Sequence, residues 1–129
     1  MNYRLNSYSR YSFTMKVSFK MRKTDKKREN ALRTVLTDVC EIAQREYRGF
    51  EWLTHLVNYE NFPRSLKIIC IFNTNADLEQ ADTSALSELI RENLASIEVK
   101  IKDINQHVRF DTEEMCEYEN NGKWNERLQ

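Results

Sequence analysis

The sequence predicts an α+β fold in which a long N-terminal helix and a second helix pack on a small, largely antiparallel sheet, with a short third helix near the C-terminus. Two runs rich in β-branched and aromatic residues, 50–59 and 65–74, flank the short polar connection 60–64, as adjacent antiparallel strands do. Two further stretches carry apolar residues at intervals of three and four, which indicates amphipathic helices. With 129 residues and 40% hydrophobic content, the chain can bury one sizeable core.

The composition along the chain predicts the domain boundaries. Residues 1–20 carry aromatics, serines and arginines without a helical apolar stripe, so we expect a loosely ordered N-terminal extension. Within it, the alternation at 15–20 makes a candidate edge strand. Residues 21–124 are expected to form a single α+β domain and residues 125–129 a frayed tail. The longest uncharged apolar run, 68–72, is too short to cross a bilayer, so no membrane contact is expected.

The first helix is predicted over about 25–48. Thr24 is placed to cap it, and Asp25 falls in the first turn, where a negative charge is favourable. Gly49 follows the last periodic residue and is suited to the left-handed conformation that commonly ends a helix. The predicted buried face consists of Leu32, Val35, Leu36, Val39, Ile42, Ala43 and Tyr47.

The first strand of the pair is predicted to be central in the sheet or covered on both faces. Successive side chains of a strand point to opposite faces, and both sets are largely apolar in the first strand. His55 lies between Leu53 and Val57 on one of them, so we expect a core histidine with a hydrogen-bonded ring rather than a ligand. The two predicted faces are Phe50, Trp52, Thr54 and Leu56 and, opposite them, Leu53, His55, Val57 and Tyr59.

The second half of the chain predicts one helix and two short strands. The polar segment 73–77 is predicted to be a turn, because such side chains bond their own backbone. Asp82 or Thr83 then caps a second helix. Alternation predicts a short strand or a frayed helix end at 99–104 and a further strand at 106–110. The predicted stripe of the second helix is Leu86, Leu89, Ile90, Leu94 and Ile97.

A short C-terminal helix is predicted to follow directly. Asp111 is a suitable capping residue, and Glu113 and Glu114 place two acids in the first turn. The helix is expected to end near 120–122, and Trp124 is expected to fold back onto the body.

Cysteine and glycine usage exclude several classes of site. The three cysteines are widely separated, odd in number and match no metal-binding spacing, which indicates free thiols and a reducing, cytoplasmic location. Cys40 and Cys70 also lie within apolar patterns, so we expect these two to be buried. Gly49 and Gly122 are the only glycines, so the glycine-rich phosphate loops of P-loop and dinucleotide-binding enzymes are excluded. No cofactor is therefore expected. The cysteines are Cys40, Cys70 and Cys116.

The net charge of zero conceals an uneven distribution. Residues 1–28 hold nine basic residues and one acidic residue, whereas the remainder holds 11 basic and 19 acidic residues. A basic cluster at a helix start, where the macrodipole disfavours cations, is a candidate phosphate contact, although such clusters are more often simply solvated. The candidate nucleic-acid contacts are Arg22, Lys23, Lys26, Lys27 and Arg28.

Aromatic and basic residues also cluster about the strand connection. Aromatics interleaved with cations can stack bases, but they can equally cover a protein partner. The acidic body repels nucleic acid unless the basic helix start supplies the contact. The leading hypothesis is therefore a non-catalytic cytoplasmic binding or regulatory module that contacts an unidentified protein or nucleic acid. The candidate partner surface is Trp52, Tyr59, Phe62 and Arg64.

A second hypothesis is a small metal-assisted hydrolase or nuclease. His107, Asp111 and Glu114 belong to the densest polar cluster of the chain, and such a group can hold a metal or act as acid and base. Acidic residues after Asp111 are also favoured in the first turn of a helix. In addition, the positive charge of Arg109 would repel a metal cation bound nearby. The structural interpretation of this cluster is therefore preferred.

Three runs of the sequence resemble a family of small uncharacterised bacterial proteins, some of which are labelled Fis-type transcriptional regulators. The runs are RKTDKK at 22–27, FEWLTHLVNY at 50–59 and VRFDTEE at 108–114, and the resemblance covers about residues 21–124. It implies a regulatory role without an established activity. Fis proteins read DNA through a C-terminal helix-turn-helix rich in Arg and Lys, whereas the C-terminal third of this chain is acidic.

Overall fold

A computed structural model describes residues 22–129 of the chain. The predicted N-terminal extension, 1–20, and its candidate edge strand lie outside the described residues. Two short 3-10 turns, Tyr59–Asn61 and Ile104–Gln106, occur in the connections. The helices and strands are α1 (Lys23–Glu46), β1 (Phe50–Leu56), β2 (Lys67–Phe72), α2 (Asn75–Gln80), α3 (Thr83–Ser96), β3 (Val108–Thr112), α4 (Glu113–Asn120) and α5 (Trp124–Arg127).

The three strands form one sheet in the order β1-β2-β3, and the predicted α+β class is confirmed. β1 and β2 pair antiparallel, as their short connection requires, with His55 opposite Ile68. β3 pairs in parallel with β2, with Cys70 opposite Phe110. The helices α2 and α3 supply the crossover that a parallel connection needs.

The long first helix is confirmed, with an earlier start than predicted. Its hydrogen bonding begins at the Arg22 carbonyl, which accepts from the Lys26 amide at 2.9 Å. Thr24 therefore lies inside the first turn, and the prediction that it caps the helix is wrong. Gly49 is in the left-handed region at φ +80°, as predicted, and a Cβ at this position would meet the side chain of Asp77.

Helices cover both faces of the sheet, so of the two alternatives for the first strand, a central position or cover on both sides, the second is confirmed; in the sheet formed by residues 22–129, β1 is an edge strand and β2 is central. α1 and α3 pack on one face, where they form the larger apolar cluster with alternate residues of the strands. α4 and α5 cover the other face through a smaller cluster, which contains Trp52, Ile69, Ile71, Cys116 and Trp124.

A β-bulge at the start of β1 reverses the predicted orientation of one side chain. The strand register shifts between Phe50 and Trp52, which places an extra residue in β1. Phe50 therefore packs in the larger cluster, edge-on to Phe72 with ring centres 5.5 Å apart. The prediction that Phe50 shares a face with Trp52 is wrong for this reason. Beyond the bulge, Trp52 and Leu56 pack on one side and Leu53, Val57 and Tyr59 on the other, as predicted.

The predicted turn at 73–77 is in part helical. The side chain of Thr74 accepts a hydrogen bond of 3.0 Å from the Asp77 amide and so starts the short helix α2. The prediction that Asp82 caps the next helix is confirmed, because its carboxylate accepts from the Ala85 amide at 3.0 Å.

Neither alternative predicted for 99–104 is found in the described fold, since α3 ends at Ser96 and this segment forms no strand. Val99, Ile101 and Ile104 all pack against the larger cluster rather than alternating between two faces. Asp103 then caps a 3-10 turn by accepting from the Asn105 amide at 3.1 Å. The next strand consequently starts at Val108, two residues later than predicted.

Thr112, rather than Asp111, caps the C-terminal helix α4. The Thr112 hydroxyl accepts from the Met115 amide at 3.0 Å, whereas Asp111 belongs to β3. The Asp111 carboxylate instead receives the Arg127 guanidinium, with nitrogen–oxygen distances of 2.6 and 3.0 Å. The segment 125–129, predicted to be a frayed tail, therefore contributes a contact that the sequence does not reveal. Trp124 is buried against the body, as predicted.

Candidate functional site

Five exposed cations lie at the start of α1, one at the residue before the helix and four in its first two turns, and we call them the basic surface. Arg28 pairs with Asp25 at 3.4 Å, an i,i+3 contact within the helix. The other four form no ion pair with a carboxylate of residues 22–129. Their charge is therefore directed to solvent. The members of the basic surface are Arg22, Lys23, Lys26, Lys27 and Arg28.

The strand connection lies directly against the basic surface. The guanidinium of Arg28 sits 5.0 Å from the centre of the Phe62 ring, a cation–π distance. Phe62 in turn contacts the Tyr59 ring, with centres 5.4 Å apart and planes tilted by 35°. Arg64 follows two residues later and is exposed. The structure thus brings together the candidate nucleic-acid contacts and most of the candidate partner surface.

Trp52 does not belong to this surface, and the prediction that it contacts a partner is wrong. Its side chain is 1% exposed, because β1 is covered on the face where Trp52 lies. The indole nitrogen donates to Glu113 at 2.7 Å, and the ring packs edge-on against Trp124 at 5.2 Å. Trp52 is therefore part of the core that attaches the C-terminal helices.

A buried polar network fixes the strand connection to α1. The Glu29 carboxylate is 4% exposed and accepts a 2.5 Å hydrogen bond from the Tyr59 hydroxyl. The same oxygen lies 3.2 Å from Nε2 of His55, which is 1% exposed, and the other oxygen accepts from Arg33 at 3.3 Å. The predicted core role of His55 is confirmed. Glu29 was missed, because His55 and Tyr59 lie outside α1 and nothing in the helical pattern distinguishes Glu29 from an exposed glutamate.

The network keeps Glu29 ionised. Burial by itself would raise the pKa of this carboxyl, but the hydrogen bonds from His55 and Tyr59 and the nearby charges of His55 and Arg33 lower the pKa below its ordinary value. Burial and the adjacent Glu29 carboxylate raise the pKa of the Tyr59 phenol. Tyr59 therefore remains a hydrogen-bond donor, and the carboxylate stays negative behind the basic surface.

A shallow groove of about 260 Å³ adjoins the basic surface. One stripe of α1 forms its first wall, since Thr24, Lys27, Arg28 and Ala31 recur at helical spacing. The segment after α3 forms the opposite wall. The exposed lining is mainly apolar, and cations stand at its rim. The groove is lined by Thr24, Lys27, Arg28, Ala31, Ile97 and Val99.

Two exposed lysines extend the positive charge beyond α1. Lys100 is covalently next to Val99, which lines the groove, and Lys102 follows two residues later. Sequence reasoning missed both, because only the packing of Ile97 and Val99 beside α1 shows that the segment after α3 belongs to this side of the protein.

The residues of the alternative catalytic cluster have other partners. Nδ1 of His107 lies 2.7 Å from the Leu66 carbonyl oxygen, and a Glu114 oxygen accepts from the Asn75 amide at 2.9 Å. Asp111 is held by Arg127, as described above. Within residues 22–129, no group of three or more His, Cys, Asp or Glu side chains could hold a metal ion. The metal-assisted hydrolase hypothesis has no metal-ligand geometry to support it in this part of the chain.

The cysteines are structural in character. All three are buried, and none is in a disulfide bond within the described residues. Burial, together with the neighbouring Cys40, raises the pKa of the Cys70 thiol, so Cys70 is not a reactive thiolate.

Comparison of the chain with protein-family models, with curated proteins and with solved structures finds no match. Over residues 22–129, no helix combines the length and apolar content needed to span a bilayer.

Proposed function

We propose that this protein is a non-catalytic nucleic-acid-binding module whose basic surface contacts the phosphate backbone. The observation that carries the proposal is a set of four exposed cations, beside the paired Arg28, that form no ion pair with a carboxylate among residues 22–129. Residues 29–129 carry a net negative charge, so the positive charge is concentrated at this surface. Such cations release counterions when they neutralise phosphates, which is the main source of affinity in sequence-independent binding.

The chemistry of the basic surface favours nucleic acid over a protein partner. Three of its members, Lys23, Lys26 and Lys27, are lysines, which are depleted at protein–protein interfaces and common at phosphate contacts. Lys23 and Lys26 lie three residues apart and therefore project from one side of α1. Binding to an acidic protein instead of nucleic acid is the outcome that would redirect the proposal.

The strand connection supports the proposal by ordering Arg28. Its guanidinium is held between the Phe62 ring and the Asp25 carboxylate, so less side-chain freedom is lost when it contacts a phosphate. The Glu29 network in turn fixes Tyr59, against which Phe62 packs. A chain of contacts that starts at buried Glu29 and passes through Tyr59 and Phe62 therefore holds Arg28 in place.

The proposed setting is the reducing interior of the cell. Three buried cysteines without a disulfide support a cytoplasmic location. The regulatory role that the Fis-type resemblance implies stays a prediction, and the acidic α4 argues against DNA reading by a C-terminal helix-turn-helix.

Fluorescence anisotropy with the full chain and labelled strands of about 16 nucleotides tests the proposal. We expect binding at about 50 mM salt that weakens strongly at about 200 mM. The variant Lys23→Gln/Lys26→Gln/Lys27→Gln should bind roughly tenfold more weakly at the lower salt concentration. No binding by the wild-type chain to single strands or duplexes would refute the proposal.

A matched control removes three cations elsewhere on the protein. The three control positions are exposed and lie away from the start of α1. Arg45 is in the last turn of α1, Arg48 follows the end of that helix, and the third position is Lys123. The variant Arg45→Gln/Arg48→Gln/Lys123→Gln has the same net charge as the test variant and should retain most of the affinity. Equal losses in the two variants would show that total charge, rather than the basic surface, governs binding.

A further inference from the structure

We infer that the groove beside the basic surface receives the base of an unpaired nucleotide, so that the protein selects single-stranded over duplex nucleic acid. The inference rests on the proposed function and deepens it by naming the form of nucleic acid that is bound. It is carried by the groove and by the two cations at its rim.

The groove combines an apolar lining with positive charge at one edge. Ala31, Ile97 and Val99 provide aliphatic surface, while Lys27 and Arg28 stand on the same α1 stripe as Ala31. An occupant that complements this arrangement has an apolar face and a negative group a short distance away. A nucleotide has this chemistry, because its base presents an apolar face and its phosphate is displaced from the base by one sugar.

The size of the groove limits the occupant further. Its volume of about 260 Å³ lies below the range of about 300–1,000 Å³ that is typical of sites for drug-sized ligands. A groove of this size suits a single planar ring system rather than a helix or a larger cofactor. One base inserted beside Ala31, with its phosphate at the rim, would use both the lining and the charge.

A duplex can place phosphates near Lys27 and Arg28 but has no unpaired base to insert into the groove. Its bases are paired and stacked, so extruding one costs unstacking energy of a few kcal/mol. The rim cations remain able to contact the phosphates of a duplex. The groove therefore adds affinity only for strands whose bases are already exposed.

Ala31→Leu tests the inference because it fills the groove without changing charge. Ala31 is partly exposed on α1, and leucine is a good helix former. In anisotropy assays with the full chain, we expect a loss of affinity for single strands of roughly three- to tenfold, because the leucine side chain occupies the space in which the base would bury apolar surface. Affinity for a duplex of the same length should stay within about twofold. Single-stranded DNA and RNA are measured separately, because both share the base and phosphate chemistry.

Two further measurements test the groove. One uses a control variant, and the other uses a second ligand with the wild-type protein, which tests the groove even if the Ala31→Leu variant does not fold. Ala85→Leu makes the same substitution at an exposed position near the start of α3, far along the helix from Ile97, and should leave both affinities unchanged. An abasic single strand keeps the phosphates but lacks the bases, so wild-type protein should bind it about tenfold more weakly than a normal strand.

The outcomes separate this inference from the proposed function. Equal wild-type affinity for normal and abasic strands, or an Ala31→Leu variant that folds and binds single strands normally, would overturn the groove inference. In either case, salt-sensitive binding that depends on Lys23, Lys26 and Lys27 would leave the proposed function intact. Absence of all nucleic-acid binding would refute both.

Discussion

The guanidinium of Arg28 lies 5.0 Å from the centre of the Phe62 ring, although one residue belongs to α1 and the other to the connection between β1 and β2. This contact joins two features that the sequence shows only separately, the basic helix start and the aromatic strand connection. It also holds the arginine at the edge of the apolar groove. Arg28 is therefore held in place by residues of two elements, whereas the lysines beside it are directed to solvent.

Removing the Phe62 ring should weaken binding by disordering Arg28. For Phe62→Leu we expect roughly a two- to fivefold loss of nucleic-acid affinity, because an exposed cation–π contact contributes about 0.5–1 kcal/mol. Anisotropy titrations at low salt measure this loss. Phe62→Tyr keeps the ring and should bind like the wild type. If the two variants bind equally well, the ring has no part in positioning Arg28.

Glu29 should make stability depend on pH on the acidic side. Its pKa is below the ordinary value of 4.5 in the folded state, so the unfolded chain takes up the proton at higher pH than the folded one. The stabilisation by Glu29 is therefore complete above its unfolded pKa and is lost as the pH falls through the folded pKa. Glu29→Gln should lower the free energy of unfolding by about 1–3 kcal/mol near neutral pH. It should also make the free energy of unfolding less dependent on pH on the acidic side.

Urea unfolding between about pH 7 and pH 3 measures this dependence. Glu41→Gln, an exposed position on the same helix, serves as the control and should follow the wild type. A Glu29→Gln variant with the same acid limb as the wild type would show that the buried network does not depend on an ionised carboxylate.

Glu113 should be necessary for the attachment of α4 and α5. Its two oxygens accept from the indole nitrogens of Trp52 and Trp124, at 2.7 and 2.9 Å. Glu113→Ala removes both acceptors, and each donor left without one in the interior costs about 1–3 kcal/mol, so we expect a loss of about 2 kcal/mol or more. These are the only two tryptophans of the chain, so their emission should shift to longer wavelength.

The exposed Glu117 on the same helix offers a control for the Glu113 prediction. Glu117→Ala should change neither the tryptophan emission nor the unfolding midpoint by a comparable amount. Wild-type emission and stability in Glu113→Ala would contradict the role assigned to the paired indole contacts.

The sequence contains enough local information to predict the main elements. The spacing of the apolar residues predicts α1 and α3, and the alternation about 60–64 predicts the antiparallel pair β1–β2. The bulge that turns Phe50 to the other face has no local signal, since it depends on how β1 pairs with β2. The alternation at 99–104 is misleading for a similar reason, because Val99 and Ile101 both pack against the end of one core.

The candidate site was predictable only in part. The lysines of the basic surface lie within five consecutive residues of the chain, so their cluster is visible in the sequence. They are Lys23, Lys26 and Lys27. The burial of Trp52 depends on α4 and α5, whose position was not predicted, and Glu29 acquires its function only from contacts with residues of β1 and of the following connection. Sequence patterns report local periodicity, whereas these features are tertiary contacts.

The salt dependence of single-strand binding shows whether the lysines of the basic surface contact phosphates. Neutralising three phosphate-contacting lysines should make the slope of log affinity against log salt concentration shallower by about two, since each contact to a single strand contributes about 0.7. We expect this shallower slope for Lys23→Gln/Lys26→Gln/Lys27→Gln. For Arg45→Gln/Arg48→Gln/Lys123→Gln we expect a slope close to that of the wild type. A test variant with the affinity and slope of the wild type would contradict the assignment of the basic surface as the phosphate contact.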